Sequence, residues 1–179
     1  STPSPLQNEI AFNGLVQDIT ERKRAEEALL RSEEKFRDLY DHAPVGYHEY
    51  DLEGRITNAN QTDLEMLGFT AEEMIGQPAW KFSVEEEIAR ERVLSKLAGT
   101  LPPDENLERN YRKKDGTTIP VLMADRLILD EKGEIKGMRA TIQDITQRKQ
   151  AEEERNALQL QLHQSQKMEA IGTLAGGIA

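Results

Sequence analysis

The chain has 179 residues with 23 Lys and Arg against 33 Asp and Glu, a formal net charge of −10, and 37% hydrophobic against 31% charged residues. So acidic a balance argues against sequence-independent binding of DNA or RNA, which needs positive charge to displace counterions from phosphate. The absence of cysteine excludes disulfides, thiol catalysis, Cys-ligated zinc and iron–sulfur clusters. What remains is a modest core carrying long solvated segments.

In chain order, Glu9–Val16 reads as a strand, because it resembles the stretch from Glu134 to Ile142. Directly after each, the run Gln17 to Glu27 recurs as Gln143 to Glu153, with nine of eleven positions identical at an offset of 126. Such an echo points to an array of repeated modules. The first copy is then the tail of an earlier module, expected to be disordered or wrongly paired without its sheet. From Thr20, an N-cap residue, a helix is predicted to about His42, where Ala43–Pro44 stops it. Ala25, Leu29, Ser32, Phe36 and Leu39 are spaced as a heptad seam.

Residues 45–58 read as a hairpin turning at Asp51–Gly54. Short helices follow: one capped by Asn60 and stopped by Gly68, one opened by the capping box at Thr70, and a longer one opened by a second box at Ser83. The apolar positions of that last helix are Ile88, Val93, Leu94 and Leu97, with Gly99 as its stop. Asn106–Lys113 and Thr117–Leu129 form a hairpin across Lys114–Asp115–Gly116, and Asp130–Gly133 turns into a last strand, Glu134–Ile145. The order is ββ, short helices, βββ, an α+β domain with a five-stranded antiparallel sheet. From Thr146 the chain is helical to its end. Ala151, Leu158 and Leu162 continue a seam; Met168, Ile171, Ala175 and Ile178 form a second stripe, with a phase slip near 163–167.

Met66, Met74, Trp80, Met123, Met138 and Ile142 are the candidates for lining a cavity between sheet and helices, although a filled core uses the same residue types. Asp125, Arg126 and Arg139 interrupt apolar strands and are expected on the sheet's outer face, with a salt bridge as the second reading. The three histidines, His42, His48 and His163, show no partner at a metal-ligand spacing, so polar or capping roles are expected and no metal. Asp144, Ile145 and Thr146 stand where strand becomes helix, as a cap or as a mechanical joint. The seams on both sides of one domain predict a parallel homodimer.

The stretches Ser32–Arg37, Ile56–Asn60, Leu67–Gly76, Tyr111–Thr117 and Asp144–Thr146 together resemble a PAS domain of a bacterial signalling protein. Gln166 to Ala179 looks like the start of the dimerisation and phosphoacceptor helix of a sensor histidine kinase, ending one residue before the acceptor histidine. The resemblance divides the chain into a tail of a preceding repeat (1–19), a linker helix (20–42), a PAS sensor domain (43–146), and a coiled-coil linker with the start of the kinase helix (147–179). It implies a transmission module of a two-component kinase, whose partners are a second copy, the kinase core and a response regulator. Asp144–Thr146 would pass a signal to the helix, and Gly172, Gly176 and Gly177 would soften it beside the phosphoacceptor.

No catalysis is expected of this chain, since neither the acceptor nor a nucleotide-binding domain is present; the parent would be the kinase. Haem-binding relatives use a histidine on the long helix, here 85–98, which has none, and flavin photochemistry of the covalent kind needs a cysteine. No cofactor is therefore expected, with a small non-covalent ligand left open. The alternatives are a passive dimerisation spacer and a domain holding flavin non-covalently. A cytoplasmic location without membrane contact is expected, because no apolar run reaches the ~18 residues of a spanning helix and no signal peptide opens the chain.

Overall fold

The computed structural model describes the backbone of residues 5–177, so Ile178 of the expected seam lies outside the described residues. The chain divides into two units, 1–43 and 44–179. The first unit holds one helix, α1 (Pro5–Asp41). This overturns the strand expected over Glu9–Val16. A strand without neighbours leaves its amides and carbonyls unpaired, whereas a helix pairs them within the segment. Leu29, Phe36 and Leu39 on α1 are exposed, at 61%, 70% and 63%.

The second unit runs β1 (Gly46–Tyr50), β2 (Ile56–Ala59), α2 (Gln61–Leu67), α3 (Ala71–Met74), a single 3-10 turn (Ala79–Phe82), α4 (Glu86–Leu97), β3 (Leu107–Arg112), β4 (Thr118–Leu129), β5 (Ile135–Asp144) and α5 (Thr146–Gly176). The strands form one sheet in the order β2-β1-β5-β4-β3, every neighbouring pair antiparallel. This is the expected α+β arrangement. Side chains alternate across a strand, so Met138, Ala140 and Ile142 of β5 face the core while Arg139 points away. Leu67, Met74, Phe82 and Leu97 from the intervening helices complete that core.

The turns obey one chemistry. Asp51 Oδ1 accepts hydrogen bonds from the Glu53 and Arg55 amides at 3.0 and 2.8 Å, and Asp130 Oδ1 does the same for Lys132 and Glu134 at 2.9 and 3.0 Å. Each aspartate thereby closes its own turn through local contacts alone. Gly54 sits at φ +74°, and a Cβ there would stand 2.5 Å from Trp80, so only glycine suits that turn.

Asn60 caps α2 as expected, and the Thr70 amide donates to Glu73 Oε2 at 3.0 Å at the start of α3. The box predicted at Ser83 does not form. Ser83 instead bridges to Tyr111 beside the sheet, the Val84 amide donates to the Asn110 carbonyl at 2.9 Å, and α4 starts only at Glu86. Pairing with β3 takes up the backbone that a cap would have used. No described helix is long and apolar enough to cross a membrane.

Candidate functional site

On α4, Ala89, Arg92, Val93 and Lys96 are spaced i, i+3, i+4, i+7 and so share one face. That face closes over the inner side of the sheet and walls a cavity, together with Trp80, Ser83, Asp104, the β1 residues His48 and Tyr50, the β3 residues Arg109 and Tyr111, and Met123 of β4. The concavity measures ≈ 420 Å³ with its solvent-open mouth included, but the space inside it that water-sized molecules can occupy is only ≈ 30 Å³. That holds about two or three waters, far below the ~300–1000 Å³ of a drug-sized site.

The wall is ionic. Lys96, 1% exposed, donates to both Asp104 and Asp125, and Arg92 Nη2 donates to Asp104 as well. Asp125 is buried on the inner face at 3% exposure, which corrects the expected outer-face position; the salt bridge, its second reading, is what forms. Burial raises the Asp125 carboxyl above its ordinary value even with Lys96 beside it. Burial would raise Asp104 too, but hydrogen bonds from Lys96 and Arg92 hold it below. Tyr50 and Tyr111 are both pushed upward, chiefly by burial, with the nearby Asp125 carboxylate adding to it. Both remain neutral hydroxyls.

Behind the cavity, His48 Nδ1 lies 2.7 Å from Asp63 Oδ2, and both side chains are buried. No local pattern pairs this histidine, because the aspartate comes from α2, fifteen residues on. Among the described residues no group of three or more His, Asp or Glu side chains is placed to hold a metal ion.

The second feature is the root of α5. The Asp144 carboxylate accepts the Thr146 amide at 2.7 Å, the Ile145 amide donates to the Pro120 carbonyl at 3.0 Å, and the Lys149 amide donates to the Ile145 carbonyl at 2.9 Å. Ile145 itself is 4% exposed and sunk into the domain. Glu108 on β3 takes ion pairs from both Arg148 and Lys149 at 2.5 Å. The first turn of α5 is thus tied to three strands: covalently to β5, by backbone to β4 and by charge to β3.

A family model described as a PAS domain matches residues 44–147, more than half of the chain. The chain belongs to the PAS domain family. It is 31% identical over 164 residues to the C4-dicarboxylate transport sensor protein DctS of Rhodobacter capsulatus, covering 88% of this chain and 24% of that protein. It is 27% identical over 179 residues to the sensor histidine kinase TmoS of Ectopseudomonas mendocina, covering 98% and 18%. The chain therefore spans about a quarter or less of these two relatives. The PAS domain of an HTR-like protein from Haloarcula marismortui shares the fold, with a TM-score of 0.56 at 22% identity over 67% of this chain and 96% of that one.

In this PAS domain the six residues expected around a pocket separate. Trp80 and Met123 line the cavity; Met74, Met138 and Ile142 are fully buried in the core, and Met66 packs against that core. Their side chains fill the layer between sheet and helices, so the open space lies nearer α4, against charged groups. At the junction, the Asp144 carboxylate closes a turn onto the Thr146 amide and no side chain caps α5 at Ile145, while the Thr146 hydroxyl has no hydrogen-bond partner. A Cβ at Gly172 or Gly176 would meet nothing within 4 Å, and one at Gly177 would make ordinary contact with the Thr173 carbonyl oxygen at 3.5 Å. Ala151, Leu158, Leu162, Met168 and Ile171 are exposed along α5; nothing is described for the side chain of Ala175.

Glu108 escaped the sequence reading, since an exposed strand glutamate carries no local signal. The Lys149 hydrogen bond, with the charges of Lys149 and Arg148, holds its carboxyl below the ordinary value of 4.5. A depressed carboxyl stabilises the folded clip above its ordinary value and loses that contribution as the pH falls through the lowered one. Glu108→Gln is expected to speed hydrogen exchange at the amides of residues 149–152 at neutral pH, and its difference from wild type should shrink as the pH falls from 4.5 through the lowered value. Equal exchange at pH 7 would show that the clip does not hold the helix root.

Proposed function

We infer that this PAS domain is the sensory and transmission segment of a two-component sensor histidine kinase, working as a parallel homodimer. What carries the reading is one structural juxtaposition: α5 is anchored at its root to three strands, yet Leu158, Leu162, Met168 and Ile171 along its length are 58–75% exposed. A stripe of that size in one chain calls for a partner, and a second copy of the same helix supplies the matching stripe with closed two-fold symmetry. The relatives, a transport sensor protein and a sensor histidine kinase, support the class of parent protein.

In this reading a shift of the sheet turns the root of α5, and the phase slip near 163–167 gives the paired helices two packings of similar free energy. The downstream kinase core and its response regulator receive the outcome, in the cytoplasm. Gly172, inside α5, has room for a Cβ and costs the helix about 1 kcal/mol relative to alanine, which softens it there. A passive spacer is the second reading, favoured by the small size of the cavity.

Sedimentation equilibrium tests the dimer. The chain should sediment at about twice its 20.3 kDa, and Leu158→Glu with Leu162→Glu should return it to 20.3 kDa without changing its near-ultraviolet circular dichroism. A wild-type monomer at tens of micromolar, or a dimer unaffected by both substitutions, would overturn the pairing.

A further inference from the structure

The offset of 126 that relates the two similar runs also carries the seam of α1 onto α5. Ala25, Leu29, Ser32 and Phe36 correspond to Ala151, Arg155, Leu158 and Leu162, spaced 4, 3 and 4 in both helices. The two helices thus share one heptad register, with Ala151 and Leu158 at d and Arg155 and Leu162 at a. One layer differs in kind. Where α1 has Ala28 at g followed by Leu29 at a, α5 has Glu154 followed by Arg155.

That charged layer is open on its own chain. Glu154 and Arg155 are both exposed, and neither has an ion-pair partner among the described residues, although Glu152 stands only three residues before Arg155. A hollow lined by Glu108, Arg148, Ala151, Glu152 and Arg155 lies beside it, and Glu108 there is already taken by Arg148 and Lys149. An arginine in a helix seam weakens the pairing unless its guanidinium finds a carboxylate.

Parallel, in-register pairing supplies one. In that geometry the side chain at a enters a hole formed by four residues of the facing helix, the preceding d and g among them. For Arg155 the hole is Ala151, Glu154, Arg155 and Leu158 of the second copy. The arginine stem lies along Ala151 and Leu158, and its guanidinium reaches the Glu154 carboxylate at the rim. Two-fold symmetry repeats the contact, so the layer holds two cations and two carboxylates. Other pairings lose the match. A slip of one heptad in either direction sets Arg155 against Gln147 or Gln161, and the α1 sequence offers Ala28 and Leu29 at this layer.

We propose that Glu154 and Arg155 are a self-recognition pair that confines α5 to a parallel, in-register partnership with α5 of a second copy and rejects helices of the α1 pattern. Specificity here comes from an unpaired charge in every wrong complex as much as from the ion pairs in the right one. The proposal rests on the homodimer inferred above and adds which partner that dimer accepts.

The test uses the whole chain. Arg155→Glu puts four carboxylates into the layer and Glu154→Arg puts four cations there. Each variant alone should dimerise about tenfold more weakly than wild type, as two exposed ion pairs become repulsions. An equimolar mixture of the two should recover, because each chain supplies the charge that the other lacks. The variants differ in mass, so native mass spectrometry separates both homodimers from the heterodimer, which should exceed its statistical half. Near-ultraviolet circular dichroism, which reports Trp80 in the domain, should match wild type throughout. A wild-type dimer that neither substitution weakens, or a mixture whose heterodimer stays at or below half, would overturn the self-recognition pair and leave the dimer standing. A monomeric wild type would remove the dimer and the pair with it.

Discussion

Lys96→Met is expected to lower the unfolding free energy by about 3–5 kcal/mol at pH 7, the cost of leaving buried carboxylates without their cation. Lys96 is almost wholly enclosed and serves Asp104 and Asp125 together. Asp104 keeps Arg92 when the lysine is gone, whereas Asp125 loses its cation, and its Oδ1 already lacks a partner. Burial holds the Asp125 carboxyl above its ordinary value even in the paired state; without Lys96 it rises further. A carboxyl raised on folding makes the folded state bind the extra proton between the two values, so stability falls as the pH climbs through that window. The deficit of Lys96→Met should therefore be small near pH 4 and complete above neutrality. Urea unfolding across pH 4–8 measures it. Adding Asp125→Val should recover more than half of the loss, since a buried ion pair exchanged for apolar groups is close to neutral. A deficit below about 1 kcal/mol, or a double variant as unstable as the summed singles, would show that Lys96 is not the counter-ion of this network.

The same network bears on transmission through β4. Asp125 lies on that strand, its amide donates to the Asp104 carbonyl at 3.0 Å, and five residues earlier the Pro120 carbonyl holds the Ile145 amide at the root of α5. One rigid strand thus carries a contact to the cavity wall at one place and to the output helix at another. This is spatial continuity, and coupling between the two ends is what a double-mutant cycle of Lys96→Met and Glu108→Gln would measure.

Much of the sheet was written locally. Asp51–Gly54, Asp115–Gly116 and Asp130–Gly133 announce their turns because an aspartate closes each one onto its own backbone; no distant residue is consulted. The near-identical runs at Gln17 and Gln143 show the opposite case. Gln143 and Asp144 pair with Leu122 and Val121 in the sheet, while Gln17–Ile19 lie within the helix α1. The sequence of the segment is almost the same; what differs is a neighbouring strand to pair with. The face of α4 was misjudged for a related reason. Ile88 and Leu94 carry the apolar signal yet are 52% and 36% exposed, while Lys96 is enclosed. An inward lysine makes sense only when a carboxylate faces it, and that carboxylate, Asp125, lies twenty-nine residues away. Asp125 alone stood out in the sequence, as a charge in an apolar strand; its lysine on α4 carried no local signal. Ser83 was a helix cap by pattern until β3 claimed its backbone.

Asn60→Ala should cost about 3 kcal/mol or more, beyond the ~1 kcal/mol typical of a lost helix cap, because Asn60 does three things at once. Its Oδ1 accepts the Asp63 amide at 2.9 Å, which caps α2, and also the Tyr47 amide at 2.8 Å, while Nδ2 donates to the Val45 carbonyl at 3.1 Å. The residue is fully buried, so water cannot replace those partners, and each buried group left unpaired costs ~1–3 kcal/mol. Asn60→Asp separates the contributions: it keeps the acceptor for both amides but loses the donor to Val45 and sets a second carboxylate beside the buried Asp63. It should be destabilised as well, and less so at pH 4 than at pH 7, where the added charge must be buried. Asn60→Ala also frees the first turn of α2 that presents Asp63 to His48, so the His48 imidazole resonances should shift while those of Trp80 across the cavity stay nearer their wild-type positions. Urea unfolding and heteronuclear NMR read both effects. A cost near 1 kcal/mol with unmoved His48 resonances would reduce Asn60 to an ordinary cap; the larger cost identifies it as the peg that joins the first hairpin to the helices and holds the rear wall of the cavity in place.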